Sequence, residues 1–543
     1  MTHRPLTDFQ VHWPQQQLES HFQPPRTLRC FADRPRSLHA LLANAVASRP
    51  QAEALVCDDT RLTYAQLNQR VGQLAAGWRA LGVQAGDRIA LLLGNRVEFV
   101  LCLLAATRLG AITVPMSIRE QAPGLQYMLE HCAAVMLVHE AELSNVLPSP
   151  AHMPNLRWRV AVAPCAGSLR WEDMFLADAL DDIAPVQEED TAVILYTSGT
   201  TGRPKGAMLS HLGMVHSCMH FQAGMGLGLG PNDVSIAAVP LSHVTGLVAL
   251  VATLLHCAAK LVIMPVFKAP KFLQLAQREH MTHSLMVPAM YNLCLLQPDF
   301  SATNLQHWRV GAYGGAPMPV ASIEALAQTQ PQLVLMNCYG ATETTSPATI
   351  MPPGMTQRHN DTVGQAVVCA DMKVVDDDGQ ELPAGSMGEI CIKGPMVVAG
   401  YWNNTEATAK EFVDGYWKSG DMGSIDAQGY VRILDRKKDM LNRGGYKIYC
   451  IEVENTLYQH PAVVECAIVA KPCAVLGERV HAFVSVREPV DADALSGFCS
   501  SRLSREKVPE SYTIVSDALP RNANGKLMKR LMREQLLQSL GLA

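Results

Sequence analysis

With 543 residues, 48% of them hydrophobic, the chain can bury large cores and is too long for one compact domain. A formal net charge of −5 offers no basic field for nucleic acid or anionic lipid, which leaves small-molecule chemistry as the expectation. Fifteen cysteines, odd in number and without CxxC pairs, argue for free thiols in a reducing cytoplasm and against a zinc site.

The first 36 residues are polar and Pro-containing, have no apolar stretch of signal-peptide length, and are read as an extension. From Ser37 the pattern becomes regular. Leu38 to Ala47 predicts an amphipathic helix, Ala54 to Cys57 and Arg61 to Tyr64 a strand pair turning at Asp58-Asp59, and Ala65 to Leu81 a second helix. The strand Arg88 to Leu93, helix Glu98 to Leu109 and strand Ala111 to Pro115 form a strand, helix, strand unit, which argues for a parallel sheet. Strands over Ala134 to His139 and Ala192 to Leu195 follow, and the polar, Pro-containing connection between them is read as surface loops.

The strand Ala192 to Leu195 empties into Tyr196-Thr197-Ser198-Gly199-Thr200-Thr201-Gly202-Arg203-Pro204-Lys205-Gly206. Glycines there let the backbone approach a ligand closely, while the hydroxyls of Thr197, Ser198, Thr200 and Thr201 and the ammonium of Lys205 suit phosphate oxygens. The spacing is not that of a Walker loop.

Ser210 to Met219 reads as a helix and Val234 to Val239 as a strand that ends at Pro240, placing His243 just past a strand end, where open α/β sheets bind ligands. The apolar run Val244 to Ala259 is shorter than the roughly 20 residues a membrane span needs and is read as a buried helix. Winding continues through a strand at Leu261 to Met264, a helix at Lys271 to His280 and strands at Ser284 to Val287 and Trp308 to Ala312. The last of these leads into Tyr313-Gly314-Gly315-Ala316-Pro317, small residues that allow a flat ring to lie against the main chain. The strand Val334 to Asn337 delivers Cys338-Tyr339-Gly340-Ala341-Thr342-Glu343, where Tyr339 can stack, Thr342 can bond a phosphate and Glu343 can hold Mg²⁺ through oxygen.

Residues 364–394 predict short strands with turns at Asp376 to Gly379 and Pro383 to Gly385, a β-rich subdomain. Tyr416 to Asp421 follows, then a strand at Gly429 to Leu434 that ends in the charge cluster Asp435-Arg436-Lys437-Lys438-Asp439, the expected domain boundary. The remainder reads as a small α+β domain, with helices over Glu452 to Gln459 and Ala492 to Ser504 and strands over Val463 to Lys471, Ala482 to Val486 and Tyr512 to Val515. Seen alone, Lys526 is a solvent-exposed lysine in a terminal turn.

Taken together, the run Tyr196 to Gly206, Pro240-Leu241-Ser242-His243, Gly314 to Pro317, Tyr339 to Glu343, Ser419-Gly420-Asp421, Asp435 to Asp439 and Asn524-Gly525-Lys526 resemble, in order and spacing, the adenylate-forming superfamily of acyl-CoA synthetases and AMP-dependent ligases. The resemblance implies an α/β fold: a large N-terminal domain of doubly wound sheets (37–437) carrying the β-rich subdomain, and a small mobile α+β C-terminal lid (438–543). It also implies roles. Thr197, Ser198, Gly199, Thr200, Thr201 and Lys205 would hold phosphates, Gly314, Gly315, Ala316 and Tyr339 the adenine, and Asp421 and Arg436 the ribose. Thr342, Glu343 (with Mg²⁺), His243 and Lys526 would serve catalysis, with Lys526 bridging the carboxylate and the α-phosphate. His243, Val287, Pro288, Tyr313, Gly314 and Gly315 would line the acyl pocket, Lys438 would be the hinge, and Gly445 would line the channel for the thiol of coenzyme A. Asp435 stands where many relatives carry glycine, and Arg521 where a lysine is often found.

The implied activity is an ATP-dependent carboxylic acid:CoA ligase that forms acyl-AMP and pyrophosphate, then acyl-CoA and AMP, on a medium-chain fatty or aryl acid. The alternatives are a stand-alone enzyme that loads a carrier protein, or a non-catalytic nucleotide-binding relative. The partners expected are the acid, ATP and CoA, without nucleic acid or an integral membrane segment; a homodimer is compatible with this reading.

Overall fold

The computed structural model describes residues 11–197, 203–228, 233–437, 439–521 and 527–541. They form two compact units, Met1–Pro317 with Glu324–Met372 and Ile392–Trp417, and Met318–Ile323 with Lys373–Cys391 and Lys418–Ala543. The break expected at 437/438 falls inside the second unit. All fifteen cysteines are free thiols, and among the described residues no helix is long and apolar enough to cross a membrane.

The first unit is α/β. Its seven-stranded sheet runs in the order Lys205–Ser210, Thr191–Thr197, Ile112–Pro115, Arg88–Leu92, Met136–His139, Trp158–Ala161, Leu169–Arg170 and is parallel except at the first pair. A second sheet joins Val234–Ala237, Lys260–Ile263, Glu53–Cys57 and Thr60–Thr63. A third joins His283–Met286, Val310–Tyr313 and Val334–Tyr339 in parallel and adds Thr349–Ile350 and Gln365–Ala366 antiparallel. Strands covered on both faces read as continuous apolar runs, which is why most of them are visible in the sequence. The helix Val97–Arg108 touches strands of the first two sheets, and all its residues except Glu98 are buried. Burial of Arg108 is possible because its guanidinium donates to the Leu180 carbonyl (2.7 Å) and the Asn68 side chain (2.5 Å).

Several elements differ from the sequence reading. The connection read as loops contains Trp158–Ala161 and Leu169–Arg170, which extend the sheet at its edge. A helix, Ala122–His131, begins with Pro123 in its first turn, where a missing N–H costs nothing. The run read as a plain helix near Gly246 is a π-helix, Thr245–Ala252, followed by a short α-helix, Thr253–His256. There the Thr253 hydroxyl donates to the Val248 carbonyl five residues back (2.8 Å).

The N-terminal extension also has structure, an antiparallel hairpin of Gln16–His21 and Arg26–Phe31. Just beyond it lies the fully buried side chain of Arg34, which donates to both oxygens of Glu19 (2.7 Å each), to Glu188 (2.8 and 2.9 Å) and to the Phe31 carbonyl (2.6 Å). Hydrogen bonding to Arg34 holds the Glu19 carboxyl well below the usual carboxylate range. Replacing Arg34 by Ala removes the guanidinium that Glu19 and Glu188 share and leaves Glu188 with only the more exposed Arg36, and we expect a loss of about 3–5 kcal/mol. Thermal melting should show a clearly lowered midpoint; an unchanged midpoint would mean that the Arg34 cluster contributes nothing to stability.

The second unit is α+β. It holds most of a sheet built from Asp371–Val375, Gly388–Lys393, Tyr416–Ile425 and Val431–Arg436. A further sheet of Tyr446–Ile448, Leu441–Arg443, Gly477–Val486, Val463–Cys473 and Ser511–Val515 packs on helices Cys450–Leu457 and Ala492–Ser500 around Ile448, Val453, Ile468, Val484 and Leu495. A terminal helix absent from the sequence reading, Lys529–Ser539, covers its other face through Met532 and Leu536.

Candidate active site

In the first unit the singled-out residues gather at strand ends. Thr197 closes Thr191–Thr197 and Lys205 opens Lys205–Ser210, directly across the ladder. Tyr313 and Tyr339 end neighbouring parallel strands, with Gly314, Gly315 and Ala316 just beyond the first and Thr342 and Glu343 on a 3₁₀ turn beyond the second. His243 and Val287 follow the strands Val234–Ala237 and His283–Met286. In open α/β sheets this carboxyl edge is the ligand edge.

The two ends of the Gly-rich loop are fixed from one helix. The Tyr196 hydroxyl lies 2.8 Å from His131 Nδ1, and Tyr127, one turn earlier on Ala122–His131, donates to the Pro204 carbonyl at 3.1 Å. Gly206 is required by packing, since a Cβ there would come within 2.8 Å of Ile194 Cγ2. Neither Tyr127 nor His131 stands out in the sequence, because nothing local ties that helix to the loop.

The side chains of Glu343 and Lys205 meet through two residues that sequence reasoning missed, Tyr401 and Glu411. Lys205 Nζ is 2.5 Å from Glu411 Oε1 and sits 4.2 Å from the centre of the Tyr401 ring. The Tyr401 hydroxyl reaches Glu411 Oε2 at 2.6 Å and Glu343 Oε1 at 2.9 Å, and Glu343 Oε1 lies 3.4 Å from the Thr197 hydroxyl. Burial, and next the neighbouring carboxylates of Glu343 and Glu411, push the Tyr401 hydroxyl far above its ordinary pKa. Glu343 is itself buried, with oxygen donors around it and no sulfur or imidazole among its described partners. Such a donor set fits a hard divalent cation.

Around the proposed acyl position, Tyr313 is buried, which pushes its hydroxyl up in pKa, whereas Val287 is partly exposed. His243 Nδ1 lies 3.3 Å from the Thr245 hydroxyl. Gly314 has a packing reason beyond access for a flat ring: a Cβ would approach the Cys338 carbonyl oxygen to 2.3 Å. At Gly315 φ is +77°, and the nearest atom to a Cβ is Val287 Cγ1 at 3.9 Å, so conformation rather than crowding selects glycine.

In the second unit Asp421 and Arg436 are opposite each other across Tyr416–Ile425 and Val431–Arg436, with Arg436 Nε 2.7 Å from Asp421 Oδ1. Arg436 also donates to the Ser419 carbonyl (3.1 Å), and Ser419 Oγ accepts from the Asp421 N–H (3.0 Å). Asp435 plays a structural part, since one of its carboxylate oxygens accepts the N–H of Cys450, the first residue of Cys450–Leu457, at 2.6 Å. Arg521 pairs with Glu465. Gly445, at φ +92°, turns the hairpin between Leu441–Arg443 and Tyr446–Ile448. Ser198, Gly199, Thr200, Thr201, Lys438 and Lys526 lie outside the described residues.

Comparison with known proteins shows the family of this chain. The family model "AMP-binding enzyme" matches residues 42–402, and "AMP-binding enzyme C-terminal domain" matches 452–526. A feruloyl-CoA synthase from Amycolatopsis sp is 33% identical over 491 residues, covering 90% of this chain and 96% of the relative. A long-chain fatty acid–CoA ligase from Mycobacterium tuberculosis matches with the same identity and coverage. Among solved structures, an anthranilate CoA ligase in complex with anthranoyl-AMP superposes with a TM-score of 0.86 at 26% identity, covering 93% of this chain and 98% of its own.

Proposed function

This chain belongs to the AMP-binding enzyme family and is an AMP-forming acyl-CoA synthetase, and we propose that its substrate is a medium-chain fatty or aryl carboxylic acid and its thiol free coenzyme A. It uses ATP, Mg²⁺ and CoA. The observation that carries the reading is the convergence of Glu343 and Lys205 on the Tyr401 hydroxyl and ring, which sets an anionic oxygen ligand and a cation side by side at the carboxyl edge of the strands.

In the first half-reaction an oxygen of the acid's carboxylate forms a bond to the α-phosphorus of ATP, and the bond to pyrophosphate breaks. Two anions must come into contact, so charge compensation and alignment dominate and no protein nucleophile is needed. Lys205 would neutralise phosphate oxygen from its place across the ladder from Thr197. Asp421 would accept the ribose hydroxyls, held in place by Arg436. Tyr339 would stack on the adenine and Thr342 would bond a phosphate. Mg²⁺ bound at Glu343 would supply Lewis-acid neutralisation of the phosphates. Lys526 would bridge the two reacting anions. In the second half-reaction the sulfur of CoA bonds the acyl carbon and AMP departs, with the thiol proton passing to solvent. Access beside Gly445 would then matter, and rotation about Lys438 between the domains 37–437 and 438–543 would exchange the two arrangements.

For the acid, Val287, Pro288, Tyr313 and the two glycines Gly314 and Gly315 give apolar walls, with His243 as the polar member. The relatives named above act on an aryl acid and on a fatty acid, and no arginine among these pocket residues favours a second carboxylate.

The test is pyrophosphate release with ATP and Mg²⁺ across linear fatty, benzoic, cinnamic, amino and dicarboxylic acids, with and without CoA. Turnover requiring CoA on a fatty or aryl acid is the expected result and names the class. Pyrophosphate formation indifferent to CoA would replace free CoA by a carrier protein as acceptor, and silence across the panel would overturn the substrate proposal.

A further inference from the structure

A lysine that binds phosphate loses less side-chain entropy on binding when its long side chain is already held in place. The strand that Lys205 opens pairs with Thr191–Thr197 on one side, and its other side is taken by residues 400–402. There the Met208 N–H donates to the Gly400 carbonyl (3.2 Å), the Trp402 N–H donates to the Gly206 carbonyl (2.7 Å), and Tyr401 stands opposite Ala207. That register makes Tyr401 the diagonal neighbour of Lys205, within reach of its side chain. The short helix Thr405–Glu411 then folds back. Asn404 caps it by accepting from the Ala407 N–H (3.0 Å), and the Thr408 hydroxyl accepts the N–H of Tyr401 (2.9 Å). The backbone thereby fixes both the Tyr401 ring under the ammonium and the Glu411 carboxylate beside it.

We propose that Tyr401 and Glu411 are positioning residues that hold the Lys205 ammonium for the phosphates of ATP and, through the Tyr401 hydroxyl, fix its spacing from Glu343. An ammonium carries three N–H donors. Glu411 takes one and the Tyr401 π face another, which leaves a third for a phosphate oxygen without releasing the first two. The side chain is 11% exposed, so the ordering of its four-carbon stem is completed before the nucleotide arrives instead of being charged against its binding. The same phenol oxygen touches Glu411 and Glu343, so a shift of either carboxylate moves the cation and the proposed metal ligand together. This inference rests on the ligase reading above, because ATP is the ligand it invokes.

The test is a double-mutant cycle on ATP binding, read by calorimetry with Mg²⁺ and by the KM for ATP. Glu411→Gln should weaken ATP binding roughly five- to tenfold, raise the KM to match and lower kcat as well, with an unchanged melting temperature. In the Lys205→Ala background the same substitution should change ATP binding by less than about twofold. Tyr401→Leu, run through the same cycle, gives a second reading should Glu411→Gln fold poorly. Equal losses in both backgrounds, or tighter ATP binding by Glu411→Gln, would overturn the positioning role while leaving the ligase reading intact. Absence of ATP binding by the wild-type chain would overturn both.

Discussion

Glu343→Gln should lower the rate of pyrophosphate formation by roughly 10²–10³-fold, the scale expected when one preorganised electrostatic contact to transferring phosphate is removed. The substitution keeps the shape of the side chain and an oxygen able to accept from the Tyr401 hydroxyl, now 2.9 Å from Glu343 Oε1. What disappears is the negative charge that would hold Mg²⁺. The fold should therefore survive, and a melting temperature equal to wild type is part of the expected result. The loss should be partly relieved by raising Mg²⁺ at saturating ATP, because a weakened site refills by mass action. A variant turning over within about threefold of wild type at low Mg²⁺ would remove Glu343 from the catalytic set.

What the sequence makes legible, and what it does not, follows from the range of the interactions. Strands such as Arg88–Leu92 and Met136–His139 are buried and parallel, and so stand out as short apolar runs. The Gly-rich loop and the turn carrying Glu343 combine glycines, hydroxyls and charge in a way that little else explains. Lys205–Ser210 is hidden in the sequence because its residues look like the end of a loop and the start of a helix, and the strand exists through pairing with Thr191–Thr197. Trp158–Ala161, buried at Val160 and Ala161 alone, and the exposed edge strand Leu169–Arg170 are too short for an apolar run to mark them. Tyr401 and Glu411 carry no local signal at all. An aromatic after Gly400 and an acid near the end of a short helix are ordinary, and their meaning arises only when residues 400–402 pair with the distant strand Lys205–Ser210. Gly314 illustrates the converse. The residue stands out as a place for a flat ring, and the structure adds a packing demand from the Cys338 carbonyl that no sequence pattern encodes.

The other large effect separates the two half-reactions. Lys526→Ala should reduce acyl-adenylate formation by roughly 10³-fold. A cation bridging the entering carboxylate and the α-phosphate offsets a repulsion of about 4 kcal/mol for unit charges about 4 Å apart at an effective dielectric of about 20. No comparable repulsion exists when a thiol attacks the carbonyl of an acyl-adenylate that is already formed, since the reacting carbon is not anionic and AMP leaves as an already charged group. Supplied with preformed acyl-AMP and CoA, the variant should therefore make acyl-CoA at close to the wild-type rate. Single-turnover measurements of each half-reaction would show the split directly. Equal loss in both halves would make Lys526 a general structural residue and would remove the chemical reason for a domain rotation between them. Loss confined to the first half would leave access beside Gly445, and not charge compensation, as the requirement of the second.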